Sequence, residues 1–346
     1  MTILNIIIYT SGIFIFSIMT TGILRKYSLR NSILDIPNER SAHSLPMPRG
    51  GGLSISLAVL LSAVFLFYLQ LLPLNIAIAF SGGGILVTVT GWLDDHMDIP
   101  EIWKALSYTI AAIWTVFWLD GLDTLRFGVN VITMHVAGSL FAVLGLAWLI
   151  NLYNFMDGTD ALAAAQAICT GTFSGMLFMF SGRQDLAIMC FVITAASAGF
   201  LYWNWPPAKI FMGDAGSCLI GFSFGLLAIV GEKSGALPIL VWFILLSIFI
   251  CDATLTLFMR IINKEKWYTA HRSHAYQRLV QMNVSHTFLA ISVLLINVIF
   301  IWPLAYIAWR WQSLSVIILA VCILIMFLIW SITQWYFSKS VTGYDR

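Results

Sequence analysis

The chain has 346 residues, 60% of them hydrophobic and only 10% charged, with a mean hydropathy of +0.90. A soluble globular domain carries about 25% charged residues, so a soluble enzyme and a disordered protein are both excluded. The net charge of +2 leaves no basic surface for a nucleic-acid partner.

Apolar runs of about 17–25 residues predict eleven membrane helices in a single all-α integral membrane domain, 1–346. Their cores lie at 3–24, 52–72, 74–93, 103–119, 135–153, 161–181, 186–203, 216–231, 237–259, 286–309 and 314–336. The first run has no basic residue before Arg25 and no small-residue cleavage motif, so it is expected to be a span rather than a signal peptide. Cys169, Cys190, Cys218, Cys251 and Cys322 sit in apolar runs without CxxC spacing and read as small hydrophobes. The long connections are 25–51 and 260–285, and shorter polar ones fall at about 94–102, 154–160 and 204–215. Fourteen Lys and Arg residues would lie on the side of those loops and four on the other (Arg126, Arg183, Lys233 and Arg310). The bias makes the motif side cytoplasmic, with the N-terminus periplasmic and the C-terminus cytoplasmic.

Along that face the polar residues come in groups. Asp35, Asn38, Arg40 and His43 precede Arg49 and the glycine run 50–52. Asp94, Asp95 and Asp98 end the third run; Asn151, Asn154, Asp157, Gly158 and Asp160 follow the fifth. Asn204, Pro206, Pro207, Lys209, Gly213, Asp214, Gly216 and Ser217 lie before the eighth, and His271, Arg272, Ser273 and His274 before the tenth. Taken singly, Asp94–Asp95 reads as a solvated helix end, and Asp157 and Asp160 as turn or cap residues. His271 and His274 read singly as interfacial histidines, and His43, His135 and His286 keep a structural role. Four acidic or histidine clusters from distant loops on one leaflet point instead to a shared site. A transporter would place its charges at mid-membrane, at broken helices, and only Asp252 comes close to that.

Several Asp residues without Cys ligands suit a hard cation, Mg²⁺ or Mn²⁺. Arg49, Lys104, Lys209, His271, Arg272 and His274 could balance phosphate charge, and the glycine run could let backbone amides approach an anion. There is no P-loop and no H-E-x-x-H zinc motif. The chemistry expected is phosphoryl transfer to or from a lipid resident in the bilayer.

The chain resembles the polyprenyl-phosphate N-acetylhexosamine-1-phosphate transferases, glycosyltransferase family 4, from about Asp35 to about Gln277. The family's Asp-Asp-x-x-Asp matches Asp94, Asp95 and Asp98, followed by Lys104. Its Asn-x-x-Asn-x-x-Asp-Gly-x-Asp matches Asn151, Asn154, Asp157, Gly158 and Asp160, and its Phe-Met-Gly-Asp-x-Gly-Ser matches residues 211–217. Two departures stand out: Ala161 replaces the family's second glycine, and the usual His-x-His-His is here His271-Arg272-Ser273-His274.

The resemblance implies transfer of an N-acetylhexosamine 1-phosphate from a UDP-sugar to undecaprenyl phosphate, with release of UMP, in the bacterial inner membrane. It implies Mg²⁺ as cofactor, Mn²⁺ being an alternative, with Asp214 as main ligand. Asp94 or Asp95 would work near the lipid phosphate, as base or as phosphate and metal positioner. Asp157 and Asp160, with Asn154 and Asn204, would line the nucleotide and metal cleft, and His271, Arg272 and His274 would hold the diphosphate or sugar. A covalent route through Asp95 or Asp160 stays open beside direct attack. The histidine loop looks closest to members that begin O-antigen repeats with FucNAc or QuiNAc; UDP-GlcNAc is the alternative donor. A lipid or ion transporter is the alternative of another class. A homodimer is compatible with the sequence, and the tail 337–346 carries no functional signal.

Overall fold

The computed structural model describes residues 1–36, 46–265 and 271–342. Asn38, Arg40, His43, Lys266 and Arg346 lie outside the described residues. The chain folds into helices α1 (Ile3–Arg30), α2 (Leu53–Tyr68), α3 (Leu74–Met97), α4 (Glu101–Trp118), α5 (His135–Phe155), α6 (Leu162–Phe180) and α7 (Gln184–Asn204). These are followed by α8 (Asp214–Ser234), α9 (Ile239–Leu245), α10 (Ser247–Ile262), α11 (Ala275–Gln281), α12 (His286–Ile296), α13 (Trp302–Arg310) and α14 (Ser315–Thr342). A π-helical turn at Asn297–Ile301 joins α12 to α13 in one long rod. Two short hairpins complete the fold: β1 (Leu34–Asp35) with β2 (Met47–Pro48), and β3 (Thr124–Phe127) with β4 (Asn130–Thr133).

This is an all-α, multi-pass membrane architecture. A helix stands at each of the eleven expected positions, but among the described residues eight are long and apolar enough to cross a bilayer, nine if α9–α10 counts as one bent span. Leu53–Tyr68 is shorter, and Glu101–Trp118, which carries Glu101 and Lys104, is not among them.

Helix α8 is the hub, packed by α2, α3, α5, α6 and α9. Lipid tails are as apolar as leucine, so close packing depends on small residues. A Cβ on Gly216 would fall 2.5 Å from Gly52 Cα, and one on Gly221 would fall 2.9 Å from Tyr153 Cβ. Helices α2, α3 and α5 can therefore lie against α8 almost backbone to backbone.

The continuous run expected at 237–259 is broken. Helices α9 and α10 meet at 81°. A break inside a membrane is tolerated where protein satisfies the freed backbone, and here Gln166 Nε2 donates to Leu245 O at 2.9 Å. Asn297, which opens the π-helical turn, donates in turn to Gln166 Oε1 at 2.8 Å. The bend lets α10 reach the end of the bundle where the polar motifs gather. The β3–β4 hairpin lies at the opposite end.

Candidate active site

Asp94 and Asp95 close the last turns of α3, and neighbouring helical residues point about 100° apart, so the two carboxylates separate. Asp95, 3% exposed, turns to the start of α8: Asp214 N donates to Oδ1 at 3.1 Å, and Ala215 N lies 3.5 Å from Oδ2. A helix N-terminus favours an anion there. Gly213 allows the approach, because its φ is +76° and a Cβ on it would lie 2.5 Å from Asp95 Oδ2. Asp94 faces an open cavity instead. Its Oδ1 accepts from Ile99 N at 2.8 Å, and Lys104 Nζ donates to Oδ2 at 3.2 Å.

Lys104 is the cationic centre of the site. Beyond Asp94 it lies 3.1 Å from Glu101 and 3.9 Å from Asp214. Asp214 Oδ1 also accepts from Asn154 Nδ2 at 2.7 Å. Half-buried Asp157 sits beside this group. Removal from water, then the charges of Asp214 and Asp95, push its carboxyl well above the usual carboxylate range, and the Gly213 N–H only partly opposes them.

The histidine loop closes the far wall, with the His271 and His274 rings 4.9 Å apart. Burial, then the neighbouring charges of His274 and Arg260, hold His271 down to about 4. These residues line one cavity of about 620 Å³, bounded by Asp94, Lys104, Asn154, Asp214, His271 and His274 together with Glu101, Asn151, Gln277 and apolar Trp148 and Phe155.

Other residues expected at the site hold its loops. Asp160 accepts from Ala208 N at 3.1 Å and lies 3.3 Å from His286 Nδ1. Asn204, 3% exposed, accepts from Ala161 N and donates to Ile210 O. Asp95, Asp157, Asp160 and Asn204 are not among the residues that line this cavity. Arg49 lies 3.4 Å from Asp98 and within electrostatic reach of Asp95. The Lys209 ammonium sits over the rings of Tyr202 and Trp203, and the Arg272 carbonyl accepts from Gln281 Nε2. None of these three cations lines the cavity.

Two amides of the glycine run are already used within the fold. The amides of Gly51 and Gly52 donate to Phe211 O and Met212 O at 2.9 and 2.8 Å. Its small size serves the contact of Gly52 with Gly216 of α8, and these two hydrogen bonds tie the 204–213 loop to the start of α2.

Residues 77–232 match the model of a family described as glycosyl transferase family 4. Over 326 residues, 91% of this chain, the sequence is 30% identical to a probable undecaprenyl-phosphate N-acetylglucosaminyl 1-phosphate transferase of Bacillus subtilis, of which 89% is covered. The chain belongs to glycosyl transferase family 4. It is also 30% identical over 314 residues to a decaprenyl-phosphate N-acetylglucosaminephosphotransferase of Mycobacterium leprae (79% of this chain, 76% of that protein). The same identity holds over 220 residues with the undecaprenyl-phosphate alpha-N-acetylglucosaminyl 1-phosphate transferase of Escherichia coli K12 (61% and 59%). As a family 4 member the protein is a sugar-phosphate transferase.

The family 4 match covers Asp94 to Ser217 but not the histidine loop. Sequence reasoning missed Glu101 and Trp148 in the cavity wall. Glu101 had a signal, since it stands three residues before Lys104 on one helix face. Trp148, inside an apolar run, had none.

Proposed function

We propose that this family 4 enzyme moves an N-acetylhexosamine 1-phosphate from a UDP-sugar to undecaprenyl phosphate and releases UMP. The observation that carries the reading is Trp148. It lines the polar cavity and also an apolar groove of about 320 Å³ between α5, α8 and the bent α9–α10 pair. A polyprenyl tail would lie in such a groove with its phosphate in the cavity. The names of the three relatives, each acting on a polyprenyl phosphate, support this substrate class.

The lipid phosphate is already largely doubly ionised at neutral pH, its second pKa being about 6. An oxygen of that phosphate attacks the sugar-bearing phosphorus of the donor. The new P–O bond forms as the bond between that phosphorus and the bridging oxygen breaks, and the bridging oxygen leaves with UMP. No base is needed. Lys104 offsets the charge that gathers on the phosphates, and His271 and His274 face it across the cavity.

Magnesium fits the donor set. Among the described residues no group of three or more His, Cys, Asp or Glu is arranged to hold a metal alone. Mg²⁺, however, is usually held by one or two carboxylates plus substrate phosphates. Asp214 and Asp94, oxygen donors within 4 Å of one ammonium, would supply the protein's share. The ion would neutralise phosphate charge. We read the bundle as eleven crossings in a bacterial inner membrane, with the N-terminus outside and the site facing the cytoplasm, in agreement with the distribution of Lys and Arg.

The histidine loop favours a 6-deoxy sugar such as FucNAc or QuiNAc at the start of an O-antigen repeat. The relatives' names favour GlcNAc. Purified protein, undecaprenyl phosphate, Mg²⁺ and a panel of UDP-sugars decide both questions through UMP release. Turnover with a UDP-N-acetylhexosamine is expected, and none with any of them, where an authentic relative works, overturns the reading.

A further inference from the structure

Asp252 is an acid inside a membrane helix, and it lines neither the cavity nor the groove. It is 7% exposed, in the middle of α10. A carboxylate at such depth is costly unless partnered and marks a functional element more often than not. Its partners are the histidine loop. Ala275 N donates to Oδ1 at 2.8 Å and Tyr276 N to Oδ2 at 3.2 Å, so the carboxylate caps α11. His274 Nδ1 stands 3.5 Å from Oδ1 and has no hydrogen-bond partner.

The carboxylate is itself aimed. Thr256, one turn along α10, donates to Oδ1 at 3.1 Å, and Trp330 of α14 donates to Thr256 Oγ1 at 3.0 Å. From the same side Gln334 Nε2 donates to Ser273 O at 3.2 Å. His274 is 3% exposed, and its ring stacks on Phe155 and on Tyr276. His274 is also held within its own loop, by the His271 ring at 4.9 Å and by Gln277 Oε1, which accepts from its backbone N at 3.3 Å, and Asp252 joins this loop to α10 through the amides of Ala275 and Tyr276. Binding geometry needs side chains locked by such support.

We propose that Asp252 is a positioning residue for the sugar-nucleotide donor: through the α11 cap it fixes His274 against the cavity, without touching substrate. This rests on the proposed transferase reading, in which the histidine loop faces the soluble donor and the lipid enters along α5.

The test is the split between the two substrates. In Asp252→Asn the cap keeps one acceptor and loses the charge. With the lipid phosphate saturating, KM for the UDP-sugar should rise roughly tenfold, the effect of losing a hydrogen bond to a charged group. KM for the lipid phosphate should stay within about twofold under saturating donor. Thr256→Val, which leaves the carboxylate in place but frees its orientation, should show the same split, smaller. In a His274→Ala background, Asp252→Asn should raise the donor KM little further, because residues acting through one another are not additive.

Equal rises in both KM values, a lowered melting temperature with unchanged donor KM, or a full additive effect in the His274→Ala background would each overturn the proposal. If Asp252→Asn does not fold, Thr256→Val is read alone, and an unchanged donor KM in it has the same force. Wild-type protein that releases no UMP defeats the transferase reading itself, which separates the two failures.

Discussion

The two ends of the bundle treat buried acids in opposite ways. At the hairpin end Glu232, 2% exposed, gives one oxygen to Arg126 N at 2.7 Å and the other to Ile239 N at 2.6 Å, pinning β3 and the start of α9 to α8. Next to it Lys233 donates to the carbonyls of Leu119, Asp120 and Gly121, which end α4. Asp185 is paired with Arg183 at 2.7 Å. Each of these charges closes a helix end or joins two elements. At the motif end Asp94 and Asp214 share one lysine, and Asp157 stands against Asp214 and Asp95. Like charges held together out of water cost stability. The hairpin end uses its acids to hold the fold, whereas the motif end, beside acids that do the same, keeps Asp94, Asp157 and Asp214 close together.

The largest effect should come from breaking the motif end. Asp214→Asn should lower UMP release by at least about 10³-fold, the scale of losing an electrostatic contact made to the reacting phosphates. It should leave the melting temperature in detergent unchanged or higher. Asp157→Asn should raise the melting temperature, since the isostere removes a carboxylate that its neighbours repel. Full activity in Asp214→Asn would remove that residue from the site, and a lower melting temperature in Asp157→Asn would show that the acids are not mutually strained. Added Mg²⁺ should stabilise the wild type more than either variant.

Glu232→Gln should do the reverse. One backbone amide loses its acceptor, and the fold should weaken by about 1–3 kcal/mol. Turnover per folded molecule should stay within about twofold of wild type, because the residue is at the far end from the cavity. The measurement is a melting curve beside an assay on the folded fraction. Lost turnover with an unchanged melting curve would erase the distinction between the two ends.

This contrast was partly legible in the sequence. The apolar runs placed a helix at each expected position because a bilayer imposes a length and a composition that show in any window. The clustering of Asp94, Asn154, Asp214 and His274 followed from orientation, since all fell on one leaflet. What stayed hidden depends on direction within a turn. Asp94 and Asp95 are identical in sequence terms, yet one faces the cavity and the other caps α8. Asp160 and Asn204 matched family motifs, and both turn to backbone amides of neighbouring loops. The 81° bend between α9 and α10 lies in an unbroken apolar run, with its acceptor satisfied by Gln166 from another helix. The glycine run 50–52 showed that backbone comes close to something there, but not that the something is Gly216.

The smallest expected effect concerns His271, a motif-end histidine whose ring is kept neutral by burial until the pH falls well below neutrality. Its pKa is held down to about 4 in the folded protein against an ordinary value of 6.5. Between those values the unfolded chain binds a proton that the folded chain refuses, so folding stability falls as pH drops from about 6.5 to about 4 and levels off below. Above 6.5 this group contributes no slope. His271→Gln should therefore flatten part of the decline in melting temperature between pH 6.5 and 4.5 while leaving the curve above pH 7 unchanged. A bound diphosphate would place negative charge beside the ring and raise its pKa, so UDP-sugar should restore more stability at pH 5.5 than at pH 7.5 in the wild type and not in the variant. Equal restoration at both pH values would mean that the ring does not face the donor phosphates, and the basic half of the motif end would then have to rest on Lys104 and His274.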